Sequence, residues 1–201
     1  MILAFEEYKE INQLLEATNK TAIVSFGRMN PPTIGHMKLM KKLIELGKQH
    51  NAQPLLFLSH SQDKKKNPLT YEDKYKVVSQ SAPTGLKVVK SEAKTVFDVL
   101  KAAQKLGATK IIMVAGSDRV TEFERFSKYK DEIGITDYEV VSAGERDPDS
   151  EGVEGMSATK MRQLAKDGKY EEFKRGSVCN NNEQLAKYLY DKTREGLEIK
   201  S

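Results

Sequence analysis

Thr21-Ala-Ile-Val-Ser-Phe-Gly-Arg-Met-Asn-Pro-Pro-Thr-Ile-Gly-His36 is the stretch of the chain that decides its fold. Its first six residues form an apolar run of the length of a buried strand, which Gly27 closes. The proline-stiffened loop that follows leads into an amphipathic helix, predicted from Gly35 to Leu46 and ended by Gly47. A buried strand followed by a loop and an amphipathic helix is the unit from which parallel sheets are built.

Strands and helices alternate along the rest of the chain. Four more strands are predicted at residues 54–59, 86–89, 110–115 and 138–142. Helices are predicted at residues 4–17, 71–79, 95–106, 118–129, 157–167, 170–174 and 183–195, and the polar segment 143–155 is predicted to be a loop. Because the strands are continuous apolar runs, we expect an α/β fold with a doubly wound, Rossmann-like parallel five-stranded sheet and extra N- and C-terminal helices. Without repeats or a dividing linker, residues 1–201 are predicted to form a single domain, with its core at about residues 20–175.

Composition limits the function classes. The 201 residues include 33 Lys plus Arg and 29 Asp plus Glu, for a net charge of +4, and 38% are hydrophobic. These values exclude a disordered chain, a collagen and a coiled coil, and the small positive excess suits anionic small molecules without requiring nucleic acid. One cysteine, Cys179, and three histidines allow no intramolecular disulfide and offer little for a metal site. No apolar run approaches the ~20 residues of a membrane span, and the early acidic residues do not fit a secretory signal, so we expect a protein of the reducing cytoplasm with no membrane partner.

The loop after the first strand has the features of a phosphate site. Gly27 lets the backbone approach a ligand closely, and Gly35 opens a helix whose N-terminal amides attract phosphate. His36, in the first turn, supplies an imidazole donor that could stabilise charge growing on a phosphoryl oxygen. The alternative interpretation is a proline-rich turn with a partly exposed histidine.

A second anion clamp is predicted at Met156-Ser-Ala-Thr-Lys-Met-Arg162. Ser157 is a good N-cap residue, Thr159 lies two residues into the helix, and Arg162 follows one turn later. Amides, hydroxyls and a guanidinium therefore converge near one helix start. Taken alone, this segment would more simply be a capped helix with a surface arginine.

Together the two segments resemble the motifs of the nucleotidyltransferase superfamily of cytidylyltransferase-like enzymes (the HIGH type). Thr33-Ile-Gly-His36 is similar to (His/Thr)-x-Gly-His, and residues 156–162 are similar to Ile-Ser-Ser-Thr-x-x-Arg, with Ala158 in place of the middle serine. The Gly27-Arg28 lead-in and Asn67-Pro-Leu-Thr-Tyr-Glu-Asp-Lys74 resemble archaeal-type nicotinamide-mononucleotide adenylyltransferases. The string of motifs is most similar to bacteriophage-encoded cytidylyltransferase-like proteins.

The resemblance implies a role for each matching residue. His36, with Thr33 beside it, would contact the triphosphate and stabilise the transition state, and Arg162 would complete the catalytic set. The resemblance implies nucleotide or phosphate binding by Gly27, Arg28, Gly35, Gly116, Asp118, Ser157 and Thr159, of which Ser157 and Thr159 join Arg162 on the β- and γ-phosphates. Asp118 could bind ribose hydroxyls, and its alternative role is a helix N-cap.

Asn30 and Arg28 are expected on the acceptor side, together with His60, whose alternative is an exposed loop position. The run Lys64-Lys65-Lys66 is most simply a solvated loop. No protein nucleophile is needed, because the acceptor phosphate attacks the α-phosphorus directly. Mg²⁺ is expected to be held mainly by the triphosphate, with no protein metal ligand.

The predicted function is the transfer of a nucleoside monophosphate, AMP first, from ATP to a phosphorylated small molecule such as nicotinamide mononucleotide, with release of pyrophosphate. One alternative is a cytidylyltransferase acting on a phosphoalcohol or sugar phosphate. Another is a non-catalytic phage virion or assembly protein, in which the N-terminal helix would dock. A class I aminoacyl-tRNA synthetase fragment is disfavoured, because the chain is too short for its further domains. The resemblance also allows a homo-oligomer, association with a virion and, for a phage-encoded protein, location in the host cytoplasm.

Overall fold

Five parallel strands form one sheet in the computed structural model, which describes residues 5–16, 20–144 and 156–199. The strands are β1 (Thr21–Gly27), β2 (Pro54–Leu58), β3 (Lys87–Val89), β4 (Lys110–Ala115) and β5 (Asp137–Ser142). The helices are α1 (Phe5–Glu16), α2 (His36–Gln49), α3 (Tyr71–Ser81), α4 (Val96–Lys105), α5 (Val120–Glu124), α6 (Lys130–Ile133), α7 (Ala158–Lys166), α8 (Tyr170–Gly176) and α9 (Glu183–Gly196).

The strand order is β3-β2-β1-β4-β5, which confirms the predicted Rossmann-like sheet. β1 pairs with β2 on one side and with β4 on the other, both in parallel register. The direction of strand addition reverses between β1 and β4, and ligands of open α/β sheets bind beyond the carboxyl ends of the strands at such a point. The carboxyl ends of these two strands are therefore where the sheet itself predicts a ligand.

Burial follows the position of each strand in the sheet. β2 is buried throughout, and β1 and β4 are buried along most of their length. β5 lies at the edge, and each of its residues is either exposed or half-buried. The expectation of continuous apolar strands is therefore wrong for β5, because an edge strand is covered less completely than a central one.

Contacts divide the chain into two compact units. The first unit consists of the described residues up to 27, together with 39–59 and 82–144, and it contains the whole sheet. Its core is formed by apolar side chains of the strands and of α4, among them Val24, Phe57, Leu100 and Met113. The prediction of a single domain stays a prediction.

The second unit consists of residues 28–38, 60–81 and 156–199. Its core is formed where α3, α7, α8 and α9 pack together, and it includes Leu69, Met161, Phe173 and Leu189. These three ranges contain 16 Lys plus Arg and 10 Asp plus Glu, an excess of six basic residues. The unit is therefore the part of the chain whose net charge favours anions.

Helix α2 does not end at Gly47 as predicted but continues to Gln49. Gly47 does not adopt a left-handed conformation there. A Cβ atom at Gly47 would lie 2.8 Å from the Ala52 carbonyl oxygen and 2.9 Å from Pro54 Cδ. The glycine is needed because the chain passes so close to the helix on its way into β2.

The prediction of one continuous helix over residues 118–129 is also wrong. Residues Ser117–Arg119 and Arg125–Tyr129 are 3₁₀ helices that flank α5, and α6 follows without having been predicted. Phe123, Phe126 and Tyr129 are three residues apart and all pack on the core of the first unit. Because side chains at i and i+3 eclipse in a 3₁₀ helix, this spacing favours 3₁₀ turns.

The remaining helices agree with the sequence within a residue or two. Gly107 follows α4 in the left-handed conformation, as a helix-ending glycine should. The terminal helices α1 and α9 were predicted at 4–17 and 183–195, and residues 4 and 17 lie outside the described residues. Most of the predicted loop 143–155 lies outside them as well. No helix in the described part of the chain is long and apolar enough to cross a membrane.

Replacing Gly47 by Ala tests the close approach between α2 and β2. In an ordinary helix interior this change stabilises by about 1 kcal/mol, but here the new methyl group meets the Ala52 carbonyl and Pro54. We expect destabilisation by about 1–3 kcal/mol, measured by urea unfolding. Lys48→Ala, on an exposed neighbouring position, is the control, and a stabilised Gly47→Ala protein would contradict the packing argument.

Candidate active site

The start of α7 has the construction of an anion site. Ser157 is its N-cap residue, as predicted, and its Oγ accepts the backbone N–H of Lys160 at 3.1 Å. Because a hydroxyl that accepts a hydrogen bond keeps its own proton, Ser157 remains able to donate. The first backbone amides of a helix have no hydrogen-bond acceptor within the helix. The N–H groups of Ala158 and Thr159 therefore add two further donors beside the Ser157 hydroxyl.

The guanidinium of Arg162 connects the second predicted motif to the loop that carries the first. Its Nη1 donates to the backbone carbonyl of Asn30 at 2.8 Å, and its Nη2 donates to Thr159 Oγ1 at 3.0 Å. A guanidinium has five N–H donors, so these two bonds fix its plane and leave others for a ligand. Thr159, which accepts from Arg162, also keeps its hydroxyl proton. The structure thus brings together Asn30, Thr159 and Arg162, all within the second unit.

His36 is held in one tautomer by its own loop. The backbone N–H of Thr33 donates to His36 Nδ1 at 2.9 Å, and Thr33 Oγ1 lies 3.1 Å from the same nitrogen. An Nδ1 that accepts a backbone N–H carries no proton, so the proton of the neutral ring lies on Nε2. Both side chains are buried, with 7% of His36 and 1% of Thr33 exposed. The ring is therefore oriented with Nε2 as its donor.

The first turn of α2 differs from the prediction at Gly35. The helix begins at His36, and the amides of His36 and Met37 donate to the carbonyls of Thr33 and Ile34, each at 2.9 Å. These two amides are used within the turn. The donor of this loop that the geometry identifies most clearly is the imidazole.

A segment near the C-terminus fixes the loop of His36, and sequence analysis missed it. Ile34 N–H donates to the Gly176 carbonyl at 2.9 Å, and Thr33 forms an antiparallel bridge with Ser177. Gly176 suits this place because a Cβ atom there would lie 2.6–2.9 Å from side-chain atoms of Met156 and Met161. Backbone pairing between such distant segments has no local sequence signal that could have revealed it.

Two cations and one carboxylate set the electrostatics of the site. Burial lowers the pKa of Arg162, the charge of Arg28 lowers it further, and the charge of Asp63 acts in the opposite direction. Arg28 is exposed and has no hydrogen-bond or ion-pair partner among the residues that the structure describes. Two guanidinium groups close enough to oppose each other favour binding of a multiply charged anion.

Asn30 lies in the site but its side chain is already engaged. Its Oδ1 accepts the backbone N–H of Leu69 at 2.9 Å, and its Nδ2 donates to the Leu69 carbonyl at 3.3 Å. Only 2% of Asn30 is exposed. Contact between this amide and an acceptor, as predicted from the sequence, would compete with the pair of bonds to Leu69.

The segment from His60 to Lys74 carries the other acceptor-side candidate. His60 is half-buried rather than exposed, and its ring stacks on Tyr71 with centroids 3.9 Å apart and planes 6° from parallel. Asp63 Oδ1 accepts the amides of Lys65 and Lys66, at 2.8 and 2.6 Å. These bonds, with others to Asn67, hold the pKa of Asp63 well below its usual range. The lysine run therefore projects from an ordered turn.

Lys74 is a fully buried charge in this segment. Its Nζ donates to the Ser61 carbonyl at 3.5 Å, and burial lowers its pKa to about 8. Nearby in α3, Asp73 accepts hydrogen bonds from Thr70 and from Tyr188, both at 2.6 Å. The segment that resembles the adenylyltransferases therefore contributes structural contacts as well as candidate binding groups.

Three predicted nucleotide-binding residues belong to the first unit. Gly27 ends β1 and Gly116 follows β4, the two strands between which the sheet order reverses. Asp118 is exposed, and its Oδ1 would lie 2.7 Å from a Cβ atom on Gly116, so the glycine makes room for the carboxylate. Gly116, with no side chain to cap it, is the N-cap of the 3₁₀ helix, so the alternative of Asp118 as an N-cap is wrong.

No group of three or more His, Cys, Asp or Glu side chains that could hold a metal ion occurs within residues 5–16, 20–144 and 156–199. The described residues therefore do not form a metal cage of their own. Cys179, buried and without a disulfide, lies 3.5 Å from the Ser177 hydroxyl. The prediction of Mg²⁺ carried by a triphosphate stays a prediction.

Comparison with known proteins adds a family to this geometry. The cytidylyltransferase-like family model matches residues 24–164, well over half of the chain. No curated protein matches the sequence. Among solved structures, a protein from Vibrio parahaemolyticus assigned as a nicotinate-nucleotide adenylyltransferase has a TM-score of 0.55 at 16% identity, with 84% of this chain and 98% of that chain covered.

A second solved structure, Thermotoga maritima TmcAL bound with alpha-thio ATP, has a TM-score of 0.47 at 11% identity, with 87% of this chain and 56% of that chain covered. This likeness is too slight to carry an argument. The likeness to the Vibrio parahaemolyticus protein shows a shared fold.

The fold and the family match define the class of protein as a nucleotidyltransferase enzyme. Within that class, the chain belongs to the cytidylyltransferase-like family, as its two motifs predicted. The closer likeness to bacteriophage proteins and the cytoplasmic location stay predictions.

Replacing Lys74 by Met tests the buried charge. At pH 7 the folded protein carries a charged Lys74, although burial lowers the pKa of this lysine from 10.5 to about 8. The methionine variant avoids burying that charge, so we expect its free energy of unfolding to be higher by up to about 3 kcal/mol. Between pH 8 and 10.5 the unfolded lysine binds more protons than the folded one, so wild-type stability rises with pH and the difference narrows. Urea unfolding at pH 7 and at a pH between 8 and 10.5 measures the difference in stability between wild type and variant, with the exposed Lys105→Met as control. A gap that widens with pH would refute the assignment.

Proposed function

We propose that this enzyme transfers a nucleoside monophosphate, AMP in the first instance, from a nucleoside triphosphate to a phosphorylated small molecule and releases pyrophosphate. The observation that carries the proposal is the pair of bonds from Arg162 to Asn30 and Thr159, which joins the second family motif to the loop that carries the first. His36 on this loop and Ser157, Thr159 and Arg162 at the start of α7 would then offer donors from two separate segments, which suits a chain of phosphates rather than a single anion.

Ser157, Thr159 and Arg162 would hold the β- and γ-phosphates. The two hydroxyls accept hydrogen bonds within the protein and so keep their protons for phosphate oxygens. The remaining N–H groups of Arg162 supply charge-assisted donors of fixed direction. These phosphates leave together as pyrophosphate, so a clamp on them stabilises the leaving group.

His36 would act at the α-phosphate. Its Nε2 proton can donate to a non-bridging oxygen, where negative charge grows as the acceptor attacks. Thr33 supports this role through the hydrogen bond from its backbone N–H to Nδ1, which keeps the donor on the other ring nitrogen. Gly35, between them in sequence, stays a candidate for phosphate binding.

The reaction needs no covalent intermediate with the protein. An oxygen of the acceptor phosphate forms a bond to the α-phosphorus while the bond from that phosphorus to the bridging oxygen of the β-phosphate breaks. The electron pair leaves with pyrophosphate. Mg²⁺, held mainly by the triphosphate, would neutralise charge on its oxygens, and the protein supplies positioning and donors.

The nucleoside and acceptor would be held by the other predicted residues. Gly27 ends β1, and Gly116 and Asp118 follow β4, at the reversal point of the sheet where dinucleotide-type ligands bind in this fold. Asp118 is a candidate for ribose hydroxyls. Arg28, whose charge has no ion-pair partner within the described ranges, suits a phosphate of either substrate. His60 is the candidate on the acceptor side.

Nicotinamide mononucleotide is the acceptor we propose first. The lead-in Gly27-Arg28 and the segment 67–74 resemble enzymes that use it, and the Vibrio parahaemolyticus structure, assigned to the related nicotinate nucleotide, shares the fold. A cytidylyltransferase acting on a phosphoalcohol or sugar phosphate is the second candidate, because the family description itself is cytidylyltransferase-like.

Replacing His36 by Ala tests the proposed chemistry. Pyrophosphate release is measured with ATP or CTP and Mg²⁺ against nicotinamide mononucleotide, nicotinate mononucleotide and a panel of phosphoalcohols and sugar phosphates. Release that requires one acceptor should fall by about 10²-fold in the variant, because a transition-state donor is lost. His50→Ala, at an exposed position, is the matched control and should retain activity. Bound ATP without release for any acceptor would contradict the proposal and favour a non-catalytic role.

Replacing Arg162 by Lys tests the phosphate clamp. One ammonium group cannot bond both the Asn30 carbonyl and Thr159 with the geometry of a planar guanidinium, so we expect pyrophosphate and ATP to bind at least about tenfold more weakly. Calorimetric titration of each ligand measures the effect. Arg175→Lys is the matched control, because it makes the same substitution at an exposed position on α8 in the second unit. Equal ligand affinity in the two variants would remove Arg162 from the clamp.

A further inference from the structure

Asn30 is bonded through both its backbone and its side chain. Its carbonyl oxygen accepts from Arg162 at 2.8 Å, which sets the direction of the guanidinium together with the bond to Thr159. The side chain contributes nothing to that contact. A change of side chain at position 30 therefore reaches Arg162 only by moving the backbone.

The side chain of Asn30 pairs with both backbone groups of one residue. Leu69 N–H donates to Oδ1 and Nδ2 donates to the Leu69 carbonyl, at 2.9 and 3.3 Å. Both residues are buried, with Leu69 fully so. Among side chains of this length, only an amide has a donor and an acceptor arranged for such a pair. In Asp, one oxygen would face the Leu69 carbonyl oxygen.

Hydrogen bonds within the segment that contains Leu69 connect its residues to one another. Holding Leu69 in place therefore restrains the positions of several residues. Asp63 caps the turn of Lys65 and Lys66, and the backbone N–H of Asp63 donates to the Asn67 carbonyl at 2.9 Å. Lys74 donates to the carbonyl of Ser61 on the other side. The segment 60–74 therefore follows the position of Leu69, and it includes His60 and the lysine turn.

We propose that Asn30 is a positioning residue that sets the distance between the phosphate clamp at Arg162 and the acceptor-side segment 60–74. Its carbonyl orients the guanidinium and its amide holds Leu69, so one residue relates the groups for the two substrates. The kinetic part of this assignment rests on the proposed function. It differs from the prediction that Asn30 contacts the acceptor, because here the amide acts on the protein and not on a ligand.

Asn30→Asp is the test variant, because it keeps size and the Oδ1 acceptor but places an oxygen against the Leu69 carbonyl. Hydrogen–deuterium exchange of the ligand-free protein is measured for peptides covering residues 60–74 and, as a check on folding, for β4. Affinities for ATP and pyrophosphate are measured by calorimetry, and kcat and the KM of each substrate by pyrophosphate release. Asn181→Asp, at an exposed position, is the matched control.

The positioning role predicts that the rate of hydrogen–deuterium exchange at Leu69 rises by about tenfold, because one hydrogen bond of ordinary net strength is lost. The exchange rates in β4 should stay unchanged. It also predicts kcat lower by about 10²-fold, the cost of misplacing reacting groups, and weaker ATP binding. The loss of ATP affinity should disappear when Arg162→Ala is already present, since Asn30 reaches the phosphates through Arg162.

Unchanged exchange at residues 60–74, with only the acceptor KM raised, would overturn the proposal and assign Asn30 to acceptor contact. If Asn30→Asp does not fold, Asn30→Ala removes both bonds without the opposed oxygens and is measured in the same way. The exchange and ATP-binding measurements need no turnover. A wild-type protein without nucleotidyl transfer would therefore refute the proposed function, while unchanged exchange and ATP affinity in the variant would refute the positioning role.

Discussion

The hydrogen bond from Arg162 to the carbonyl oxygen of Asn30 joins segments 132 positions apart in the sequence. It places the start of α7, with the Thr159 hydroxyl, on the loop that carries His36. A charged donor in a half-buried position gives such a bond a net strength of about 1.5–3 kcal/mol, and arginine keeps its charge even though burial and Arg28 lower its pKa. Without this contact, the two segments proposed to bind phosphate would be two separate surface features.

Local rules were sufficient for the parts of the molecule that depend on neighbours in sequence. The strands β1, β2 and β4 follow from their continuous apolar runs, and their alternation with helices gives the parallel sheet. Ser157 was identifiable as an N-cap because capping involves residues three positions apart. The motif residues His36 and Arg162 could be found for a different reason, namely their likeness to a known family.

Features that depend on distant neighbours could not be predicted in this way. A glycine at the position of Gly47 is typical of a helix end. In the structure it instead leaves space for the chain that enters β2, and this close approach is visible only in the folded protein. Asn30 was assigned to the acceptor side from the family resemblance, while in the structure its amide is hydrogen-bonded to Leu69. Sequence reasoning identifies the residues capable of hydrogen bonding, but the choice of partner is made by the tertiary fold.

The pairing of Thr33 and Ile34 with Gly176 and Ser177 has a consequence for the order in which the protein is made. All five strands have been synthesised by Ser142, so a chain still on the ribosome already has the sequence for the whole sheet. The Ile34 N–H, although made early, meets its acceptor only once Gly176 has left the exit tunnel. The growing polypeptide thus contains all five strands of its sheet before the segment that pairs with the loop of His36 has been made.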